Sequence, residues 1–428
     1  MRVLMLCSLV LIVLPVRGQV WREVPPMPTP RYAAAAAVLN GYLYVIGGIG
    51  ADGALLTTVE AYDPVRRTWI RDLPHLDDPR AYAAAVVLNG RIYLIGGLEG
   101  DTLAHAEATD DVLVFHPKTG WEEVASLEEA RYGLVAVAFK DRIYAIGGLS
   151  REAQMVDRVG RQPVPLNTIE VYDSQQDEWQ LRARLPHAVA FAAAALLGED
   201  IYVFGGLSKN IPVALIQRFR PTTSEVTPLG ATLPQVWWAG AALPYQNKII
   251  LLGGLGDRET PLPNVYAVQF MERAAEFRER PPLLQARLSF AAVVHNDTVF
   301  VFGGLNQRDG YPLRTAEAAA AAVLTPREAL TLPADFELAL PYPQPFREQV
   351  TLTFRVSTRL PGALVQLEVY DLLGRLVTRL LNQPLPPGQH TLFWTGLDAA
   401  GHPVPAGVYL VRLRQGPYQH ERLLIRTR

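Results

Sequence analysis

Four arginines stand at one fixed distance from a pair of glycines. Arg31, Arg80, Arg131 and Arg287 each lie sixteen residues before a Gly-Gly dipeptide, and Val189 and Trp237 hold the same place ahead of two further pairs. Tyr32, Tyr132 and Trp238 follow directly on three of these positions. A guanidinium beside an aromatic ring suits a carboxylated or polar glycan, or an acidic peptide, because the planar fork donates to oxygens while the ring face takes apolar surface. The eight residues Arg31, Tyr32, Arg80, Arg131, Tyr132, Trp237, Trp238 and Arg287 are therefore the candidate ligand-binding group. A second reading stands beside this one. A feature that recurs with the period of the chain needs no ligand to explain it, and each arginine then braces the segment before it.

Other chemistry is sparsely provided for. The eight histidines are scattered, without His-x-His or His-Glu-x-x-His spacing, so no metal site is read. Asp52-Gly53 and Asp309-Gly310 are turn dipeptides that lack the alternating carboxylates of a calcium loop. No serine sits in a nucleophile elbow. No cofactor is implied. Glu60, Glu170 and Glu317 recur at the start of a strand and are the carboxylates on offer for acid/base work, although recurrence points to a structural role. A formal net charge of −2 without a Lys/Arg stripe gives no footprint for nucleic acid.

The N-terminus reads as a targeting segment. Arg2 precedes an apolar stretch from Val3 to Val16, and small residues at Val16 and Gly18 suit cleavage before Gln19. The stretch is too short to span a bilayer, so residues 1–18 are expected to be a signal peptide and the mature chain to carry no transmembrane helix. The one cysteine, Cys7, falls inside this segment, which leaves the mature chain without a disulfide, thiol nucleophile or thiolate ligand.

The scaffold beneath the candidate group follows from the repeat. Gly-Gly pairs at 47, 96, 147, 205, 253 and 303 are separated by 49, 51, 58, 48 and 50 residues. Each ends an aromatic or β-branched run such as Tyr42 to Ile46 or Val299 to Phe302. Most runs follow a small-apolar stretch and a tight turn, Asn40-Gly41 and Asn89-Gly90 among them. Asn-Gly between alternating apolar runs is a strong hairpin signal. A third strand follows (Val59 to Asp63, Val112 to His116, Ile169 to Asp173), and a fourth carries Trp69, Trp121 or Trp179. Unit four has Phe219 and Val226 in place of Tyr and Trp, and unit five has Phe277. Unit six has an alanine run to Ala322 and no Trp, while Trp21-Arg22-Glu23-Val24 stands alone at the mature N-terminus and is expected to supply its missing strand.

The glycine pair, the Tyr-Asp-Pro at 62–64 and the following Trp resemble the Kelch repeat over roughly residues 20–326. The resemblance implies an all-β fold, a six-bladed Kelch β-propeller spanning 19–326, with the small residues of each first strand lining a central channel. The equivalent arginines would then ring one mouth of that channel.

After Pro326 the composition shifts. Residues 327–337 read as a linker, and 338–428 as a small β-sandwich of short alternating runs, from Val350 to Val356 through Glu421 to Ile425. Leu332 to Leu338 with Tyr342-Pro343-Gln344-Pro345-Phe346, the turns Asp371 to Arg375 and Asp398 to Gly401, and Pro405 to Tyr409 resemble the type IX secretion C-terminal sorting domain, an Ig-like fold shared with a flagellar hook-capping module. Pro-Gln-Pro-Phe departs from that family's usual Pro-Asn-Pro-Phe. The resemblance implies transport through the periplasm to the outer surface or the medium, with the type IX machinery as a partner.

Together these point to a non-catalytic binding module, secreted or displayed at the cell surface, with a protein or glycan ligand at the propeller mouth. The alternative is a carbohydrate-active propeller enzyme of the sialic-acid mutarotase type, which would need an acid/base carboxylate beside the arginines.

Overall fold

The computed structural model describes residues 20–150, 164–258, 260–271, 274–307, 310–325, 335–360, 362–371, 375–416 and 418–427. The segment read as a signal peptide, Cys7 with it, lies outside them, as do residue 326 at the end of the expected propeller and residues 327–334 of the expected linker. The chain divides into two compact units between Pro326 and Arg327. No helix among the described residues is long and apolar enough to cross a membrane.

Among the described residues the first unit holds six four-stranded antiparallel sheets. Their innermost strands are Ala35–Leu39, Ala84–Leu88, Val135–Phe139, Ala193–Leu197, Ala241–Tyr245 and Ala291–His295. Each touches the innermost strand of the next sheet, and the sixth touches the first, so the sheets close into a propeller. Asn40 and Gly41, and Asn89 and Gly90, all have positive φ, the mirror-image turn that matches strand twist. The innermost strands enclose a channel of about 240 Å³ walled largely by alanine.

Cross-strand aromatic pairs fill the widening wedge between sheets. Tyr62 faces Trp69, Phe115 faces Trp121 and Tyr172 faces Trp179. The smaller pair Phe219 and Val226, and Val268 with Phe277, take the same register in sheets four and five. Sheet six closes as the lone N-terminal tryptophan suggested. Arg22–Val24 pairs antiparallel with the strand Ala316–Ala320, Arg22 opposite Ala318. Trp69 donates its indole N–H to the carbonyl of Pro25 and Trp121 to that of Pro74, and Trp21, 1% exposed, donates in the same way to Pro281. The alanine run splits: Ala316–Ala320 is strand because it is paired on both sides, and Ala321–Leu324 reverts to the helix that alanine prefers.

The second unit is a sandwich. One sheet is formed by Glu337–Leu338, Val350–Val356 and Gly388–Trp394, the other by Leu376–Pro384, Leu364–Asp371, Gly407–Gln415 and Tyr418–Arg426. Alternate residues of both sheets share one core around Phe354, Trp394, Leu367 and Val411. Residues ahead of Leu338 also join this unit. Phe336 is 2% exposed in the core, Glu337 pairs with Arg355, and Asp335 accepts from Ser357 and from the backbone and hydroxyl of Thr358. Those donors, the Thr358 amide first, hold the Asp335 carboxyl down at about 2. The Asp398 to Gly401 turn has a physical cause: the Asp398 carboxylate accepts from the amides of Ala400 and His402, both at 2.9 Å. Gln344 acts as a mock strand. Its amide donates to the Leu423 carbonyl at 2.8 Å and accepts from the Ile425 N–H at 3.2 Å.

Candidate functional site

The Gly-Gly pairs join neighbouring sheets. The second glycine of each pair, Gly48, Gly97, Gly148, Gly206, Gly254 or Gly304, donates its N–H at 2.8–2.9 Å to the carbonyl of Arg80, Arg131, Val189, Trp237, Arg287 or Arg31, the position sixteen residues before the next pair around the ring. The first glycine has φ between +53° and +63°, and a Cβ there would stand 2.0–2.8 Å from the same carbonyl oxygen. Only glycine permits both the dihedral and the approach.

The side chain at that carbonyl position turns inward. Arg31, Arg80, Arg131 and Arg287 are 0–3% exposed. Each sends Nη1 to the carbonyl of the first glycine of its own sheet, at 2.7 Å for Arg31 and Arg287 and 3.2 Å for Arg80 and Arg131. Each is also neutralised: Arg31 by Glu60 at 3.2 Å, Arg131 by Glu170, Arg287 by Glu317, and Arg80 by Glu99 at 2.8 Å and Asp111 at 3.5 Å. Burial lowers the guanidinium pKa values and the facing carboxylates restore part of the loss. The Glu170 carboxyl is raised, again first by burial, with Arg131 opposing. The same carboxylates tie down the lead-in segments: Glu60 accepts from Thr29 at 2.7 Å, Glu170 from the Glu128 amide at 2.7 Å and Glu317 from the Leu284 amide at 2.7 Å.

The two exceptions follow from the same accounting of charge. In sheet four, Val189 brings no cation, and the facing residue is the neutral Gln217, which bonds the His187 amide and carbonyl at 2.9 and 3.0 Å. In sheet five, Trp237 replaces the guanidinium with its indole N–H, 2.6 Å from the Gly253 carbonyl. A buried carboxylate without its cation would be strongly destabilising, so cation and anion are lost together.

Two residues beyond each carbonyl position the backbone makes a second ring. Ala33, Tyr82, Gly133, Phe191, Ala239 and Ser289 all have φ between +47° and +61°. The N–H of each donates to the carbonyl of the preceding member, and Ala33 to Ser289, at 2.7–2.9 Å, so six hydrogen bonds close a circle at the end of the channel. Four of the members are small. Tyr82 and Phe191 are bulky residues in the left-handed region, a conformation that costs roughly 1–3 kcal/mol and concentrates at sites of function. Their rings meet edge to face at 5.3 Å, and Gly133 between them leaves the room, since a Cβ there would stand 2.7 Å from Phe191.

Above this circle is a cup of about 420 Å³ lined by Tyr32, Tyr82, Leu103, Phe191, Trp238, Leu288, Ser289, Leu305 and Gly310. Tyr32 packs on Tyr82 at 6.4 Å, Tyr132 on Tyr82 and Phe191 at 6.5 and 6.0 Å, and Phe191 on Trp238 at 6.0 Å. Tyr32 and Trp238 are held by antiparallel bridges to Ile49 and Leu255, each the residue after a glycine pair. Burial raises the phenol pKa values of Tyr32, Tyr82 and Tyr132, which keeps them neutral.

The eight sequence candidates thus separate. Tyr32, Tyr132 and Trp238 join the aromatic collar; Arg31, Arg80, Arg131, Arg287 and Trp237 are withdrawn beneath it and act as braces. Glu60, Glu170 and Glu317 are 1–4% exposed in ion pairs and do not face the cup as acid/base groups. Tyr82 and Phe191 were missed, although a signal exists. The two residues after each carbonyl position hold one large and one small member: Tyr32-Ala33, Ala81-Tyr82, Tyr132-Gly133, Ala190-Phe191, Trp238-Ala239 and Leu288-Ser289. Among the described residues no group of three or more His, Cys, Asp and Glu side chains is placed to hold a metal.

A family model described as the Kelch motif matches residues 30–71, 79–128 and 130–186. Kelch-like protein 23 of Mus musculus is 26% identical over 215 residues, 49% of this chain and 35% of that protein. Alpha-scruin of Limulus polyphemus is 28% identical over 310 residues, 70% of this chain and 32% of that protein. The chain spans about a third of the length of these relatives. A solved structure titled "Structure of YjhT" superposes with a TM-score of 0.57 at 16% identity, covering 68% of this chain and 95% of that one, a likeness of fold.

Proposed function

We propose that this chain, which carries Kelch repeats on a Kelch-type propeller, is an exported binding module whose protein or glycan partner seats at the aromatic mouth of the channel. The observation that carries the reading is the cup itself: a preformed concavity whose rings sit on a strained, hydrogen-bonded circle. Rigid aromatic anchors in a pocket are the usual centre of binding energy. Kelch-type propellers are a protein-interaction module, which supports recognition over catalysis. The test presents the full mature chain to glycan and peptide arrays and repeats the strongest hit with Trp238→Ala. The reading requires a ligand whose binding fails in the variant; a ligand held equally by both refutes it.

Export rests on the apolar segment after Arg2 and on the Ig-like sorting-domain resemblance of the second unit, whose core is its own. In a bacterium with an outer membrane, a chain ended at Pro326 should accumulate in the periplasm as a folded propeller. Its arrival at the surface or in the medium at the full-length level would remove the sorting role.

A further inference from the structure

We infer that the cup receives the terminal sugar ring of an uncharged glycan; this rests on the mouth reading above and names its ligand class. Arginine spacing suggests a carboxylated or polar glycan, or an acidic peptide, and the structure removes the attraction for the acidic ones. Each guanidinium beneath the collar is already matched by a carboxylate, and no described side chain lining the cup carries a formal charge. The phenols are neutral as well. Such a site offers an acidic guest hydroxyl donors but no countercharge in exchange for its lost water.

Shape narrows the choice further. Tyr82, Phe191 and Ser289 line both the cup and the channel, so they stand where the two adjoin, and the rings of Tyr82 and Phe191, 5.3 Å apart, narrow the passage there. A guest entering from outside meets that narrowing end-on, which suits the end unit of a chain more than a segment running across the mouth. The volume of about 420 Å³ lies within the roughly 300–1,000 Å³ typical of small-ligand pockets.

Chemistry separates a sugar from an apolar peptide side chain. The lining mixes carbon faces with the hydroxyl groups of Tyr32, Tyr82 and Ser289. The Tyr82 and Ser289 hydroxyls bond each other, so a leucine or phenylalanine tip would cover the rings and leave the Tyr32 hydroxyl to lose its water, at about 1–3 kcal/mol without a partner. A pyranose has C–H faces for the rings and a hydroxyl at nearly every carbon for the phenols.

The experiment titrates the full mature chain by calorimetry and tryptophan fluorescence. The neutral probes are lactose, maltotriose, mannotriose and chitotriose; sialyllactose and digalacturonate are the acidic probes, and proline-rich and phenylalanine-ended peptides complete the set. At least one neutral sugar should bind, with affinity unchanged within about twofold between about 50 and 500 mM salt. Trp238→Ala should weaken it roughly tenfold, about 1.4 kcal/mol. Tyr32→Phe, which keeps the ring and the fold, should weaken it several-fold. Binding confined to acidic probes, binding that falls steeply with salt, or no neutral sugar bound at all overturns the inference. A peptide that binds in place of sugars and is lost in Trp238→Ala defeats the glycan assignment and leaves the mouth reading standing. Any ligand indifferent to both variants defeats the mouth reading too.

Discussion

Arg131→Ala separates a brace from a ligand contact most sharply. Arg131 is 0% exposed and Glu170 1%, and the two are paired. The guanidinium also donates to the carbonyls of Glu129 at 3.1 Å and Gly147 at 3.2 Å. Truncation leaves the Glu170 charge buried without a cation, which costs about 3–5 kcal/mol when one partner of a buried pair is removed. The loss should be read in urea unfolding of the full chain, following the propeller tryptophans. It should depend on pH with a definite sign. The Glu170 carboxyl is already raised by burial, and removing Arg131 takes away the charge that opposes the rise. A raised carboxyl favours the folded state below its unfolded pKa, and that contribution is lost as pH climbs through the folded value. The variant should therefore lose less relative to the parent near pH 4 than at pH 7.5. Replacing both members, Arg131→Met with Glu170→Met, should recover most of the stability, because a well-packed apolar pair is close to neutral against a buried ion pair. Affinity per folded molecule should be unchanged throughout. An Arg131→Ala protein that unfolds within about 0.5 kcal/mol of the parent yet loses its ligand would refute the brace and return the guanidinium to the binding surface.

Gly205→Ala should cost well over about 3 kcal/mol or abolish soluble expression, because its Cβ would stand 2.0 Å from the Trp237 carbonyl, whereas Gly401→Ala, with open space around it, should cost only the dihedral, about 1–2 kcal/mol; urea midpoints of the two variants compare them directly. Trp237→Phe keeps the ring but deletes the donor to Gly253, and a loss of about 1–3 kcal/mol in the same assay is expected. Trp21→Ala should cost about 3–5 kcal/mol and hasten proteolysis of the N-terminal strand, and a variant as resistant as the parent would contradict its place in sheet six.

The architecture was legible because its signals are local. Alternation of period two, Asn-Gly turns and the glycine pairs each act within a few residues, and their recurrence places six units in one register. Even the closing strand could be read, since a tryptophan outside any complete unit matched a unit that lacked one. Phe336 falls in the Leu332 to Leu338 stretch that resembles the sorting domain, and its burial in the core, a long-range contact, is what ties it to the sandwich.

The repeat, the number of sheets, the closing strand and the residues that recur at the channel end are thus all written in the order of residues along the chain. Which way those residues face is fixed by packing between sheets. Arg31 and Tyr32 are adjacent in the chain, yet one is buried against Glu60 and the other lines the cup. Tyr82 and Phe191 reach the mouth only because six N–H groups bond around a circle drawn from all six sheets. Side-chain direction there is set by backbone dihedrals fixed through contacts about fifty residues apart in sequence, so the large and small dipeptides mark which positions reach the mouth without telling which way each side chain turns.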